Sequence, residues 1–351
     1  MKMVSVALVL IIVVFCSGYG QNASEQMALP INKIMYRPPH DGIKYSYFYF
    51  IPNTALKETP IRVLLYAHSV TCQTVCNNSK FPCKISYETA YSRVVQYVRT
   101  KEIPRILPYI YKYRYILLIV VLPRNCNPYP ELLMYTVCMP RWVMFPEPKV
   151  ANTKDYWFYE RPDLEIVKVI DEFITFLRKQ NLDVYSKVFI AGFSCGGVQA
   201  NRIAILHPNK VAAVAIGAPG AFLYPAKTWK GFSLPYPLGV ADIDQLSETS
   251  FSLEDYTKIP HFIFVGEKDT ARINDPVNFE ACYAKRHARI IKAYFGRTPP
   301  ERAKIFAQYL ESLEMDVSLK IYRGIGHEMI PEMIYDIFSF FSSVHLEDID
   351  K

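Results

Sequence analysis

The chain is predicted to be an α/β protein whose mostly parallel sheet is covered by helices on both faces. Apolar runs of strand length recur along it, for example within 62–67, 115–122 and 187–191. Stretches with apolar residues at helical spacing separate several of these runs, and that alternation calls for crossover connections between parallel strands. No internal repeat or low-complexity linker interrupts the pattern, which makes one domain the economical organisation.

The elements follow in order. Lys2 supplies a small positive charge ahead of an apolar run over Val4–Val14, and the small residues Ser17, Gly18 and Gly20 come next. This is the pattern of a secretory signal peptide over 1–20, leaving a mature domain over 21–351 that begins near Gln21. The apolar run falls short of the roughly 20 residues that span a bilayer, so no stable membrane span is expected after cleavage. Residues 45–51 are dense in aromatics and suit an early antiparallel strand. Arg62–His68 is a buried strand ending in a loop, Glu88–Val98 a helix, and Tyr115–Leu122 a strand stopped by Pro123. Residues 123–162 are rich in Pro, aromatics and Cys, and form a lid-like excursion; a loop this long is usually functional. Pro162 and Asp163 open a helix whose stripe is Leu164, Val167, Ile170, Phe173, Ile174 and Leu177. Strands at 187–191 and 211–216 flank a helix over Gly197–Leu206. A second lid-like insertion fills 218–258, before strands at 261–265 and 317–322 and helices near 300–313 and 331–344.

The 351 residues are 51% hydrophobic, 14% aromatic and 21% charged, enough for one large core and unlike a disordered chain. A formal charge of +7 is scattered without a basic run, which gives no support to nucleic-acid binding. Apart from Cys16, seven cysteines are present. Cys195 is expected to stay a thiol, and Cys72, Cys76, Cys83, Cys126, Cys138 and Cys282 to form three disulfides of undetermined pairing. The group at 72, 76 and 83 lacks the paired spacing and histidines of a zinc site, so no metal is expected. Asn22 and Asn77 head N-glycosylation triplets. Together these features suggest a secreted or secretory-lumen glycoprotein.

The strongest chemical signal is Gly192-Phe193-Ser194-Cys195-Gly196-Gly197, which sets G-x-S-x-G directly after a buried strand and before a helix. A serine on so sharp a turn needs small residues two positions to either side. Its Oγ then projects from the carboxyl edge of the sheet, and the Cys195 N–H at the helix start faces a developing oxyanion. The same glycines lack G-x-G-x-x-G spacing, so no dinucleotide cofactor is expected.

A serine hydroxyl needs a base near neutral pH, and the base needs a carboxylate to fix its tautomer. Asp269, in the loop after the 261–265 strand, is the preferred acid over Glu267 and Asp275. His327, between Gly326 and Glu328 after the last strand, is the base. The chain order Ser, acid, His is that of hydrolases built on a G-x-S-x-G turn. A second oxyanion donor is sought in His68-Ser69-Val70; Val70 N–H is the candidate and Ser69 its rival.

On these residues, the span from about 45 to 345 resembles the α/β-hydrolase superfamily. More narrowly it resembles secreted esterases of the polyhydroxybutyrate-depolymerase and feruloyl-esterase type and related bacterial hydrolases. That narrower likeness runs through Arg161-Pro162-Asp163-Leu164, Asn201-Arg202, Leu206-His207-Pro208, Leu234-Pro235-Tyr236-Pro237 and Gly326-His327-Glu328. The resemblance implies an eight-stranded sheet and ester hydrolysis through an acyl-enzyme, acting on a small-molecule or polymeric ester. Ser69 departs from the glycine usual at this point in such proteins, which implies a differently arranged oxyanion loop. Trp142, Phe145, Tyr156, Trp157, Phe158 and Tyr159, with Phe222, Tyr224 and Trp229, either line an apolar pocket or simply pack the insertions onto the sheet. A peptidase and a non-catalytic binding protein on the same scaffold are the alternatives; a complete Ser, Asp and His set disfavours the second.

Overall fold

The computed structural model describes residues 29–70, 75, 86–123, 138–145, 156–246, 248, 251–270 and 283–345. The expected signal peptide, Asn22, Asn77 and Asp275 lie outside these residues.

An eight-stranded sheet forms the centre. Its strands are β1 (Ile34–Arg37), β2 (Tyr47–Phe50), β3 (Arg62–Ala67), β4 (Tyr115–Val120), β5 (Val188–Phe193), β6 (Val211–Gly217), β9 (His261–Gly266) and β10 (Val317–Tyr322). A small hairpin of β7 (Thr228–Trp229) and β8 (Phe232–Ser233) stands apart from it. The order across the sheet is β1-β2-β4-β3-β5-β6-β9-β10. β1 and β2 pair antiparallel, as do β2 and β4; every other neighbouring pair is parallel.

The chain steps one way from β3 to β4 and the opposite way from β4 to β5. Crossovers of one hand taken in opposite directions must lie on opposite faces, so this reversal covers both sides of the sheet. Side-chain contacts show the same thing. Tyr49 packs on Phe173 at 5.1 Å, in α3 (Pro162–Lys179), whereas the next residue, Phe50, packs on Tyr111 at 5.1 Å, in α2 (Ile103–Tyr113). Consecutive strand residues point to opposite faces. The final helix α6 (Pro331–Ser343) shares the α2 face, where Phe338 stacks against Tyr109 and Tyr113. Phe189 and Phe341 meet at 5.2 Å beneath the centre of the sheet. β4 and β6 are buried along their whole length, which is why they read as continuous apolar runs rather than alternating ones.

Sequence and structure differ in places. Helix α2 was not anticipated, because Pro104 and Pro108 argue against it; Pro104 falls in the first turn, where a missing N–H costs nothing. It is preceded by α1 (Tyr87–Tyr97) and a π-helical turn over Val98–Glu102. Edge strand β1 also escaped notice, being only half-buried. Helix α4 (Cys195–Leu206) starts two residues earlier than its glycines suggested. Helix α5 (Pro299–Glu311) opens with a capping box between Thr298 and Glu301. No helix among the described residues is long and apolar enough to cross a membrane. Cys138 is disulfide-bonded and Cys195 is a thiol.

Candidate active site

Ser194 sits between β5 and α4 at φ 56°, ψ −121°, a conformation that a non-glycine residue holds only when its surroundings impose it. Two close approaches impose it here. A Cβ on Gly192 would lie 2.2 Å from the Gly196 carbonyl oxygen, and one on Gly196 would lie 2.1 Å from the Ala67 carbonyl oxygen. The turn therefore folds on itself and presses α4 against the end of β3. Ser194 N–H donates to the Gly217 carbonyl of β6 at 2.8 Å, which anchors the turn from the other side.

The three expected residues meet. His327 Nε2 lies 2.9 Å from Ser194 Oγ, and His327 Nδ1 lies 2.7 Å from Asp269 Oδ2. The Asp269 side chain is fully buried, whereas the imidazole stays partly open to solvent. A carboxylate can only accept, so Nδ1 carries the proton and Nε2 offers its lone pair to the serine hydroxyl. The Phe193 ring packs beside the imidazole with centroids 5.1 Å apart. Glu267, the rival acid, is used elsewhere: its Oε2 accepts the Gly324 N–H at 2.8 Å.

The expected oxyanion donors lie on two segments that touch. Cys195 is the first residue of α4, where helix amides face outward toward an anion. Val70 is buried in the loop after β3, the strand end against which Gly196 packs. His68 Nε2 accepts the Leu122 N–H at 3.1 Å and ties that loop to the end of β4. Glu102, a buried acid at the end of the π-helical turn that precedes α2, has Oε2 3.4 Å from the Tyr66 hydroxyl of β3. Sequence reasoning missed Glu102 altogether. Its only signal was an acid inside an otherwise helical, proline-bearing stretch.

Several of the stretches on which the narrower resemblance was drawn act as fastenings. Arg161 holds both oxygens of Asp163, through Nε at 3.0 Å and a terminal nitrogen at 2.8 Å, and His207 Nε2 meets Asp163 Oδ2 at 2.9 Å. Burial pushes the Asp163 carboxyl up, but the His207 and Arg161 bonds outweigh it and hold the group below the usual carboxylate range. Asn201 clasps the Leu223 backbone through both its N–H and its carbonyl. Arg202 donates to the Met139 carbonyl at 2.8 Å, as does the Tyr236 hydroxyl at 2.6 Å. Arg141 pairs with Asp242 at 2.6 Å, joining the two insertions to each other.

Among the aromatics considered as a pocket lining, Phe222 stacks on Phe306 at 4.2 Å and Tyr224 on Phe295 at 4.3 Å, both nearly fully buried. Phe158 is buried against both Tyr159 and Tyr45. These side chains pack insertions onto the domain. Trp142, Phe145 and Trp229 are partly buried against the same core. The side chains of Tyr156 and Trp157 lie outside the described set.

No family model and no curated protein matches the chain by sequence. Solved structures do match its fold. Poly(aspartic acid) hydrolase-1 from Sphingomonas sp. KT-1 is similar with a TM-score of 0.54 at 15% identity, covering 89% of this chain and 98% of its own. A poly(3-hydroxybutyrate) depolymerase from Bordetella parapertussis is similar with a TM-score of 0.52 at 14% identity, covering 90% of this chain and 93% of its own. With its sheet order, its serine turn and these neighbours, the chain has the α/β-hydrolase fold.

Proposed function

We propose that this protein is a secreted serine hydrolase that cleaves carboxylic esters through an acyl-enzyme on Ser194. The observation that carries this reading is the continuous hydrogen-bonded line from Asp269 through His327 to Ser194, with steps of 2.7 and 2.9 Å. Acting as base, His327 Nε2 takes the hydroxyl proton while Oγ bonds to the acyl carbon and the carbonyl electrons move onto oxygen. The N–H groups of Cys195 and Val70 hold that oxyanion. Its collapse breaks the bond to the alcohol, which leaves with the proton from His327. Water then enters, gives a proton to His327, attacks the acyl carbon and frees the acid and the serine. Asp269, unable to donate, keeps the ring in the productive tautomer throughout. Export is supported by the apolar run over Val4–Val14 and by the disulfide at Cys138.

A fluorophosphonate probe is expected to label the wild type and to leave Ser194→Ala unmarked; equal marking of both refutes the reading. A panel of p-nitrophenyl esters of graded acyl length, with feruloyl, acetyl-sugar and lipid esters, a peptide anilide, poly(3-hydroxybutyrate) and poly(aspartic acid), then defines the substrate. Cleavage of the anilide or the polyamide without any ester places the chain among peptidases or amidases instead.

A further inference from the structure

The imidazole of His327 rests against the end of an aromatic row. Phe193, Gly217 and Phe264 are register partners across β5, β6 and β9, so they stand side by side near the carboxyl edge of the sheet. The middle position has no side chain, and the two phenylalanine rings lean across it to stack at 6.3 Å with 27° between their planes. A Cβ on Gly217 would lie 2.3 Å from Phe264 Cζ and 2.9 Å from Phe193 Cδ2, so the row closes only over a glycine. Phe262 extends it from the same face of β9, stacked on Phe264 at 5.3 Å. At the other end the Phe193 ring inclines 38° to the imidazole, with centroids 5.1 Å apart.

At that distance and tilt the two rings meet as inclined, offset faces rather than edge-on. The face of an aromatic ring is its negative part, and it attracts a cation within about 6 Å of the centroid. His327 becomes such a cation in each half of the reaction: Nε2 takes the proton of the Ser194 hydroxyl first and one from water later. Asp269 meets that charge in the plane of the imidazole, 2.7 Å from Nδ1. The Phe193 ring meets it from outside the plane. We propose that Phe193 is a positioning residue for the base: its ring, fixed by the row, holds the imidazole between Ser194 and Asp269 and favours the imidazolium that forms in the transition state. The inference rests on the acyl-enzyme reading above. Among the described residues, the titratable groups on the elements around the imidazole are Asp269, Glu267, Lys268, Glu328, the Cys195 thiol and Arg302, which feels the Asp269 charge. None of them changes in the test that follows.

The test replaces Phe193 with 4-fluoro-, 3,5-difluoro- and 3,4,5-trifluorophenylalanine, which drain the ring face stepwise while nearly keeping its size, and adds Phe193→Leu. Each protein is measured for the pH profile of kcat/KM on p-nitrophenyl acetate and for Tm. Its His327 ring is titrated by NMR, with the signal identified by its loss in His327→Gln. Weakening a preference for the charged form makes the imidazole harder to protonate. The acid limb of kcat/KM and the NMR midpoint are therefore expected to move to lower pH step by step, by about half a pH unit at the trifluoro ring. Over the same steps the plateau falls by about two- to fivefold, and Phe193→Leu matches the trifluoro protein. Should Phe193→Leu fail to fold, the fluorinated series decides alone. A series with one midpoint throughout, whether or not the plateau falls, overturns the proposal and leaves Phe193 a packing residue. If the wild type neither hydrolyses esters nor reacts with fluorophosphonate at Ser194, the acyl-enzyme reading fails. The NMR midpoints then still decide whether the Phe193 face favours the imidazolium: an ordered fall supports it and a flat series refutes it.

Discussion

Glu267 accepts the Gly324 N–H at 2.8 Å while Asp269, two positions along the same loop, holds His327 Nδ1 at 2.7 Å. One acid fastens the backbone of the histidine loop and the other orients its ring. Their substitutions should therefore separate. Asp269→Asn, which permits the wrong tautomer, is expected to lower kcat by about 10⁴-fold. Glu267→Gln, which still accepts a hydrogen bond, should lower it by less than about tenfold. Steady-state kinetics on one ester decides, and equal losses would reverse the assignment.

The contact between α4 and β3 leaves no room for a methyl group. A Cβ on Gly196 would stand 2.1 Å from a backbone oxygen that belongs to the sheet. Gly196→Ala must then displace either the serine turn or the strand end. The expected loss is about 1–3 kcal/mol of stability, together with most of the activity. Urea unfolding followed alongside kcat checks both; a variant with wild-type values of each contradicts the tight contact.

Asp163 is fully buried between Arg161 and His207. Neutralising it leaves the Arg161 guanidinium without its carboxylate in a largely buried place, and breaking such a pair typically costs about 3–5 kcal/mol. Asp163→Asn should lower the unfolding midpoint accordingly while the surviving folded fraction keeps kcat within a few fold. A variant as stable as the wild type would show that the pair only marks where the helix begins.

His261 is buried in β9, with Nδ1 donating to the Ile259 carbonyl at 2.7 Å and Nε2 accepting from the Tyr256 hydroxyl at 2.9 Å. Burial lowers it from the ordinary 6.5 to about 4. Between those values the unfolded chain binds the extra proton and the folded chain does not, so stability falls as pH drops from about 6.5 to about 4 and is level above. The full loss is about 3 kcal/mol. His287, lowered to about 4 by burial and then by Arg286, acts in the same window. Thermal unfolding at pH 7 and pH 4.5 should show a smaller difference in His261→Gln than in the wild type. An identical difference would mean that the ring is already charged in the folded chain.

Much of this was legible because each sign had a mechanism behind it. The glycines around Ser194 are required by backbone contacts of 2.1–2.2 Å; the acid follows a buried strand, and the histidine follows the half-buried edge strand β10. Helix α2 was hidden because two prolines usually end a helix, and only the tertiary fold shows one of them falling in its first turn. β1 was hidden because its single neighbour leaves it half-exposed, without a full apolar run. Glu102 was hidden for a deeper reason. Arg105 is a local partner three positions on, but the Tyr66 hydroxyl comes from β3, 36 positions back, and no local spacing encodes that meeting. Phe222 and Tyr224 look like pocket residues in the sequence, but their partners Phe306 and Phe295 lie more than 70 positions away.

β6 and β9 are hydrogen-bonded neighbours although the whole second insertion runs between them. Lengthening a surface segment raises its closure entropy only slowly, by about 0.6 kcal/mol per doubling. The second insertion is therefore an interchangeable part, free to vary in size while the sheet holds its alignment. Several attachment points limit that freedom, among them Asn201 on Leu223, Tyr283 on Ala221, Tyr309 on Pro225 and Arg141 on Asp242. A chimera that grafts a foreign segment here while keeping those fastenings would retain the sheet and the serine turn beneath a different covering.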